Sequence, residues 1–335
     1  MKRVLEFDGI RAAAILFILL CHICFGMGWT AMGRFCANTF NTVFFLLSAL
    51  LLGLNVNEYK RGGGRYVFQF LSKRVTRLLC SLWPMQIVFA VVFYLAGIEF
   101  SLTSFAANML MVGWFSKLPG LGHLWFVTMI MACYVTFAII GYKPEVFKKP
   151  AIWAVFCLPL HIVVAQMGLP GYFFLILLYC SLAFLYAQKI VKWFNAVPIW
   201  IIIVAATLIN VTSYLLICNK MIVNGILMDY VTTLGGFAIF VFMYRLFKVR
   251  TPKKLLCGIS TLSYELYLIH HPFCLGEISF FNLFPALNDW AVVVLVITIS
   301  TISAYILKHL SGSIYNVVTR SEERRVGKEC RSRWS

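Results

Sequence analysis

An arginine and a histidine interrupt the first long apolar run of the chain. In FDGIRAAAILFILLCH, residues 7–22, Arg11 and His22 stand eleven positions apart with only apolar residues and Cys21 between them. At about 100° per residue, eleven steps return to within roughly 20° of the starting direction, about 16 Å further along the axis. Both side chains are therefore expected on one helix face, the guanidinium near one membrane surface and the imidazole past mid-bilayer. A cation in that place can hold a charged molecule, and an imidazole deeper on the same stripe can exchange protons near neutral pH. Asp8 lies one turn before Arg11, within reach to fix the guanidinium. Taken singly, a histidine in a span also serves as an inter-helix hydrogen-bond partner, and an arginine near a span end also snorkels to the headgroups. The aligned pair with its carboxylate favours chemistry.

The elements that must carry this pair are membrane helices. Of 335 residues, 61% are hydrophobic and 12% charged, and the mean hydropathy is +0.87. One soluble core cannot bury that much apolar sequence. The pattern predicts an all-α, polytopic integral membrane protein of about ten transmembrane helices: residues 11–28, 39–55, 78–97, 123–141, 151–166, 171–187, 197–217, 226–247, 256–275 and 289–308. The first run starts too early and extends too far for a cleaved signal peptide, so it is expected to stay in the mature protein. Residues 101–115 are apolar but short, and read as re-entrant or interfacial. The short fifth and sixth spans, joined by a turn at Gly168, Leu169, Pro170 and Gly171, read as half-spans or tilted helices.

Charge tests the count. With the N-terminus inside, one set of connections holds Lys2, Arg3, Lys60, Arg61, Arg65, Lys73, Arg74, Arg77, Lys143, Lys148, Lys149, Lys189, Lys192, Lys248, Arg250, Lys253 and Lys254. The other set holds only Arg34, Lys117 and Lys220. This asymmetry puts both termini in the cytoplasm by the positive-inside rule. It also accounts for the net charge of +17 without nucleic acid, because the bases sit in short loops between spans. The eleven cysteines are scattered and mostly within spans, with no CxxC, so they read as structural thiols. From Arg320 the sequence RSEERRVGKECRSRWS turns abruptly polar and resembles the translated read-through of a sequencing-library adapter. Residues 1–316 are read as the functional domain and residues 320–335 as an artefactual tail; a genuine basic tail on anionic lipid is the other reading.

Five segments together resemble the acyltransferase 3 family, bacterial integral-membrane enzymes that move acyl groups, usually acetyl, onto sugars and cell-envelope glycans. They are FDGIR with Arg11 and His22; NTVFFLLSALLLG, residues 41–53; KRVTRLL, residues 73–79; GHLWFV, residues 122–127; and SYELYLIHHP, residues 263–272. The resemblance runs in order from Leu5 to about Tyr315. Ala49 departs from the family, which commonly has Gly after the Ser; this bears on helix packing and not on chemistry. The resemblance implies a multi-pass protein of the bacterial cytoplasmic membrane. It also implies cytoplasmic acyl-CoA as donor co-substrate, a carbohydrate or glycolipid acceptor, and no cofactor.

Lys73, Arg74 and Arg77 stand where the chain re-enters the bilayer. Arg74 and Arg77, three apart on a helix, can face one ligand, and arginine suits phosphate through forked hydrogen bonds. Charge alone favours ordinary anchoring; the resemblance raises the acyl-CoA-binding reading. His123 and His270 fall at similar depth to His22 as candidates for the acceptor side or as structural hydrogen-bond partners, with His271 expected to point elsewhere. The histidines lack HxxxH or His-carboxylate ligand spacing, so no metal is expected. Asp229 and Glu265 are acids within spans, and Glu265 is a candidate charge partner for Arg11, as Asp8 is. Ser48 has no base adjacent in sequence and reads as helix glue.

His22 and Arg11 are thus the expected catalytic pair, with His22 as general base toward a sugar hydroxyl. A proton-coupled transporter or flippase using His22, Asp229 and Glu265 is the alternative. It is disfavoured by the absence of internal duplication in the hydropathy pattern. A non-catalytic membrane partner in an envelope-synthesis complex is the third reading, and it predicts that Arg11 and His22 are dispensable.

Overall fold

The computed structural model describes residues 4–55, 64–147, 149–218, 225–251 and 254–332. Lys2, Arg3, Lys60, Arg61, Lys148, Lys220 and Lys253, and the side chain of Arg65, lie outside the described set.

The protein is all-helical, with 85% helix and no strand among the described residues. The helices are α1 (Leu5–Gly26), α2 (Thr30–Leu54), α3 (Gly64–Leu95), α4 (Leu102–Met109), α5 (Trp125–Tyr142), α6 (Pro144–Phe147) and α7 (Pro150–Gln166). After them come α8 (Tyr172–Leu185), α9 (Ala187–Ala196), α10 (Ile199–Cys218), α11 (Gly225–Val249), α12 (Lys254–Cys274), α13 (Phe280–Leu283) and α14 (Asp289–Ser332). A 3₁₀ turn, Gly122–Leu124, leads into α5. By length and composition, seven helices among the described residues can cross a membrane: α1, α2, α3, α5 with its 3₁₀ turn, α10, α11 and α14 over Asp289–Thr319. The pair α8 and α9 makes up to eight, although it is bent by 84°. Of the remaining expected spans, α7 is an apolar helix of 17 residues, and α12 has 21 residues but carries Glu265, His270 and His271.

Four expected helix ends are corrected. Helix α1 begins at residue 5 and not 11, α2 at 30 and not 39, α3 at 64 and not 78, and α14 continues to 332 and not 308. Hydropathy marks where a helix enters an apolar medium, whereas backbone hydrogen bonding continues through polar residues of good helix propensity such as Gln69, Lys73 and Arg74. The early part of α2 also has a packing reason. A Cβ at Gly33 would stand 2.9 Å from the Phe25 ring, so glycine lets α2 lie against the end of α1.

Contacts between helices fix their directions. Helix α1 packs along α2, α11 and α12. Ser260 meets Arg11 and His270 meets His22, so α12 runs parallel to α1. Ser81 and Leu78 meet Glu265 and Tyr264, which makes α3 parallel to both. In contrast, α11 places Tyr244 by Phe7 and Asp229 on the cavity that His22 lines, so it runs the other way. Helix α14 likewise runs from Trp290 beside Trp29 to Lys308 beside Thr261.

The far end of α9 is held by α11. The Arg245 guanidinium donates to the carbonyls of Phe194, Asn195 and Val197 at 2.9, 3.1 and 2.9 Å. These are the orphan acceptors at the C-terminal end of α9, where a cation is also favoured by the helix dipole.

Candidate active site

Two polar clusters lie at opposite ends of α1. At its N-terminal end the Arg11 guanidinium is 3.4 Å from Asp8 Oδ1 and donates to Ser260 Oγ at 3.3 Å. The Ser260 hydroxyl donates to the same Asp8 oxygen at 3.2 Å. One turn of α1 and one residue of α12 thus set the guanidinium's position, and a carboxylate in the first turn suits the positive end of the helix dipole. The Tyr134 ring of α5 meets Phe70 of α3 edge-on, with centroids 6.5 Å apart. Arg74 also sits over the Phe70 ring at 5.6 Å, with its Nε buried and without a hydrogen-bond partner. Lys73 and Arg77 are exposed. These cations lie inside the long α3, not at its beginning.

At the other end four imidazoles meet. His22 and His270 have ring centroids 4.9 Å apart, His22 and His271 4.6 Å, and His123 stacks on His271 at 4.5 Å and 17°. His271 is therefore part of the cluster, contrary to expectation. Two neighbours on a helix point about 100° apart, but partners approach from both directions: α1 brings His22, and the loop before α5 brings Gly120 and His123.

The backbone assigns the ring protons, because a carbonyl oxygen only accepts. His22 Nδ1 is 2.9 Å from Ile18 O, His270 Nδ1 is 2.8 Å from Leu266 O and His271 Nδ1 is 2.7 Å from Gly120 O. Each of these rings in its neutral form carries its proton on Nδ1 and its lone pair on Nε2. His123 uses the other nitrogen: Nε2 is 3.2 Å from Leu268 O, and Nδ1 is buried without a partner. The Leu268 carbonyl is free for this because Pro272, four residues on, has no N–H to give it. Tyr267 completes the cluster by donating its hydroxyl to the His123 carbonyl.

Close approach of the loop depends on two glycines. Gly120 and Gly276 have φ of 61° and 98°, left-handed values that favour glycine. A Cβ on Gly276 would also stand 2.8 Å from Gly120 Cα. Among the described residues no group of three or more His, Cys, Asp or Glu side chains could hold a metal ion.

His22 and His123 line a cavity of about 350 Å³, within the usual range for small-molecule sites, roughly 300–1,000 Å³. Ile18, His22 and Phe25 form the α1 wall. The α2 wall carries Asn38, Asn41 and Thr42, the α8 wall Tyr172 and Tyr179, and the α11 wall Asp229, Thr232 and Thr233; Trp125 and Tyr267 add further rings. His270 and His271 are not part of the wall. Asp229 Oδ2 is 4.0 Å from Nε2 of His161, which is fully buried.

The structure therefore joins Arg11 to Asp8 and places Arg74 over Phe70, the ring that Tyr134 also meets. It joins His22 to His123 and His270. Glu265 accepts a hydrogen bond from Ser81 at 3.1 Å, and the charge partner found for Arg11 is Asp8. Sequence reasoning missed His161, His271, Tyr134 and the amide and aromatic walls. Asn41, Trp125 and Tyr267 lay within segments already singled out, and only their partners across the bundle were lacking.

A family model described as an acyltransferase domain, acyltransferase 3, matches residues 4–309 of the chain. No curated protein and no solved structure matches it.

Proposed function

Because the chain belongs to the acyltransferase 3 family, it is a membrane acyltransferase, and we propose that it moves an acetyl group from cytoplasmic acetyl-CoA to a hydroxyl of an extracytoplasmic or lipid-linked glycan. One observation carries this reading: a histidine whose Nε2 holds the ring's lone pair lines the ligand-sized cavity, while Arg11, held by Asp8 and Ser260, stands at the other end of its helix.

The phosphates of the donor would lie on Arg74 and Arg77, with Lys73 nearby, and the buried Arg74 Nε offers a further donor. Arg11, held by Asp8 and Ser260, would guide the pantetheine arm along α1 towards His22. There Nε2 would take the proton of the acceptor hydroxyl as its oxygen attacks the thioester carbon. Collapse of the adduct breaks the C–S bond, and the proton returns to the departing sulfur, giving the O-acetyl ester and CoA thiol. The amides, hydroxyls and rings of the cavity wall suit a polyhydroxylated acceptor, with His123 beside it.

The ten-span count with both termini cytoplasmic belongs to the same proposal, in the bacterial cytoplasmic membrane. It is supported by the helix directions: α1, α3 and α12, the first, third and ninth expected spans, run parallel, and α11 and α14, the eighth and tenth, run opposite. The transporter reading is not favoured, since the family is one of acyltransferases.

The test is purified protein in lipid nanodiscs with radiolabelled acetyl-CoA. CoA release that disappears in His22→Ala supports the enzyme. Proton-coupled flux in liposomes without CoA release would replace it with a transporter.

A further inference from the structure

His270 Nε2 lies 2.9 Å from His22 Nδ1, across 248 residues of sequence. The two carbonyls described above determine what this contact is. If His270 Nδ1 donates to Leu266 O, its Nε2 has only a lone pair in the neutral ring. If His22 Nδ1 carries the proton shared with Ile18 O, that nitrogen can also donate to His270. The reverse bond, from His270 Nε2 to His22 Nδ1, would set the His22 lone pair against the Ile18 carbonyl at 2.9 Å.

We propose that His270 is a positioning residue for His22: its Nε2 accepts the His22 Nδ1 proton, orients the ring and shares the charge when His22 Nε2 becomes protonated. A second imidazole here takes the place that a carboxylate fills in many histidine-based sites, and it does so without a permanent charge at depth. Burying a fixed carboxylate in a span is costly, whereas a neutral ring is not. His270 is fully buried and outside the cavity wall, so it acts through His22 and not on the acceptor. As the acceptor proton arrives on His22 Nε2, the Nδ1–H bond becomes charge-assisted and strengthens, and the bond relaxes when the proton leaves with the CoA sulfur.

The inference rests on the acyltransferase reading for its kinetic arm only. Its structural arm is nitrogen NMR of the parental protein with ¹⁵N-labelled histidine in nanodiscs, His22 and His270 being assigned by the signals lost in His22→Gln and His270→Gln. Expected are two rings protonated on Nδ1, with a through-hydrogen-bond coupling between His22 Nδ1 and His270 Nε2. A His22 protonated on Nε2 instead, or a His270 protonated on Nε2, overturns the proposal whether or not the protein shows activity.

In the kinetic arm, His270→Leu should slow His22-dependent CoA release about ten- to a hundredfold, the value of a hydrogen bond to a charged group, with acetyl-CoA binding unchanged. His270→Gln, which supplies an oxygen acceptor near the lost Nε2, should recover most of that rate. Parental turnover in His270→Leu, or no recovery in a correctly inserted His270→Gln, overturns the proposal. If the parental protein releases no CoA, the acyltransferase reading of this chain falls, and the nitrogen spectra still decide the pairing.

Discussion

The two ends of α1 handle charge in different ways. At the arginine end Arg11 is paired with Asp8 and partly open, its side chain being 31% exposed. At the histidine end His270 and His123 are enclosed, being 0% and 3% exposed, and His22 and His271 are half-buried. A fixed charge deep in a bilayer costs several kcal/mol, so it stays near a surface, while a titratable ring is inexpensive until the moment it is charged. The parallel helices α1 and α12 repeat this division: Arg11 and His22 are eleven residues apart, and their partners Ser260 and His270 ten. In the proposed mechanism this helix pair separates donor recognition from proton transfer by about 16 Å.

The largest expected effect falls at the histidine end. His22→Ala should reduce single-turnover transfer about a hundred- to ten-thousandfold with acetyl-CoA binding retained in equilibrium dialysis. Transfer at the parental rate would remove proton chemistry from this end altogether. The arginine end should show the opposite profile. Arg74→Ala and Arg11→Ala should each weaken acetyl-CoA binding about ten- to a hundredfold, equivalent to roughly 1.5–3 kcal/mol. Arg11→Lys should restore only part, because a point charge replaces a planar fork. Normal donor binding in correctly inserted variants would reduce these residues to topology anchors.

The placement of Arg11 and His22 was legible in the sequence, because both lie on one helix, where spacing converts directly into direction. Asp8 was legible for the same reason. Every expected span has a helix over its apolar centre, but the ends of α2, α3 and α14 are set by backbone hydrogen bonding and packing, which hydropathy does not sense. The contact between His270 and His22 depends on the register of two helices 248 residues apart, and no local pattern encodes it. His161 lies in an apolar stretch of α7, and its relation to Asp229 exists only across the bundle. One long-range device was legible in principle: Pro272 must leave the Leu268 carbonyl free, and a polar partner for it was owed.

A third substitution sharpens the comparison on the acceptor side. Asp229 faces, from α11, the cavity that His22 lines. If it contacts the acceptor, Asp229→Asn keeps the shape and removes the charge, so the acceptor KM should rise about tenfold, the lower end for a hydrogen bond to a charged group. CoA release with water as acceptor should stay near parental. Steady-state assays over a range of native glycolipid fraction separate the two, and an equal fall in both rates would place Asp229 in the fold and not at the acceptor.

The smallest effect is expected from Ser260→Ala, and it tests whether the ends are independent. The hydroxyl donates to Asp8 and accepts from Arg11, so its loss loosens the guanidinium without removing any charge. A neutral side-chain hydrogen bond contributes about 0.5–1.5 kcal/mol, which corresponds to a two- to tenfold loss of acetyl-CoA affinity. Because Ser260 and His270 share α12, a change that merely disturbed this helix would also slow transfer at saturating donor. A local role leaves the saturated single-turnover rate parental while affinity falls. A fall in the saturated rate equal to the fall in affinity would show that the two ends communicate through α12, and the separation of recognition from proton transfer would no longer hold.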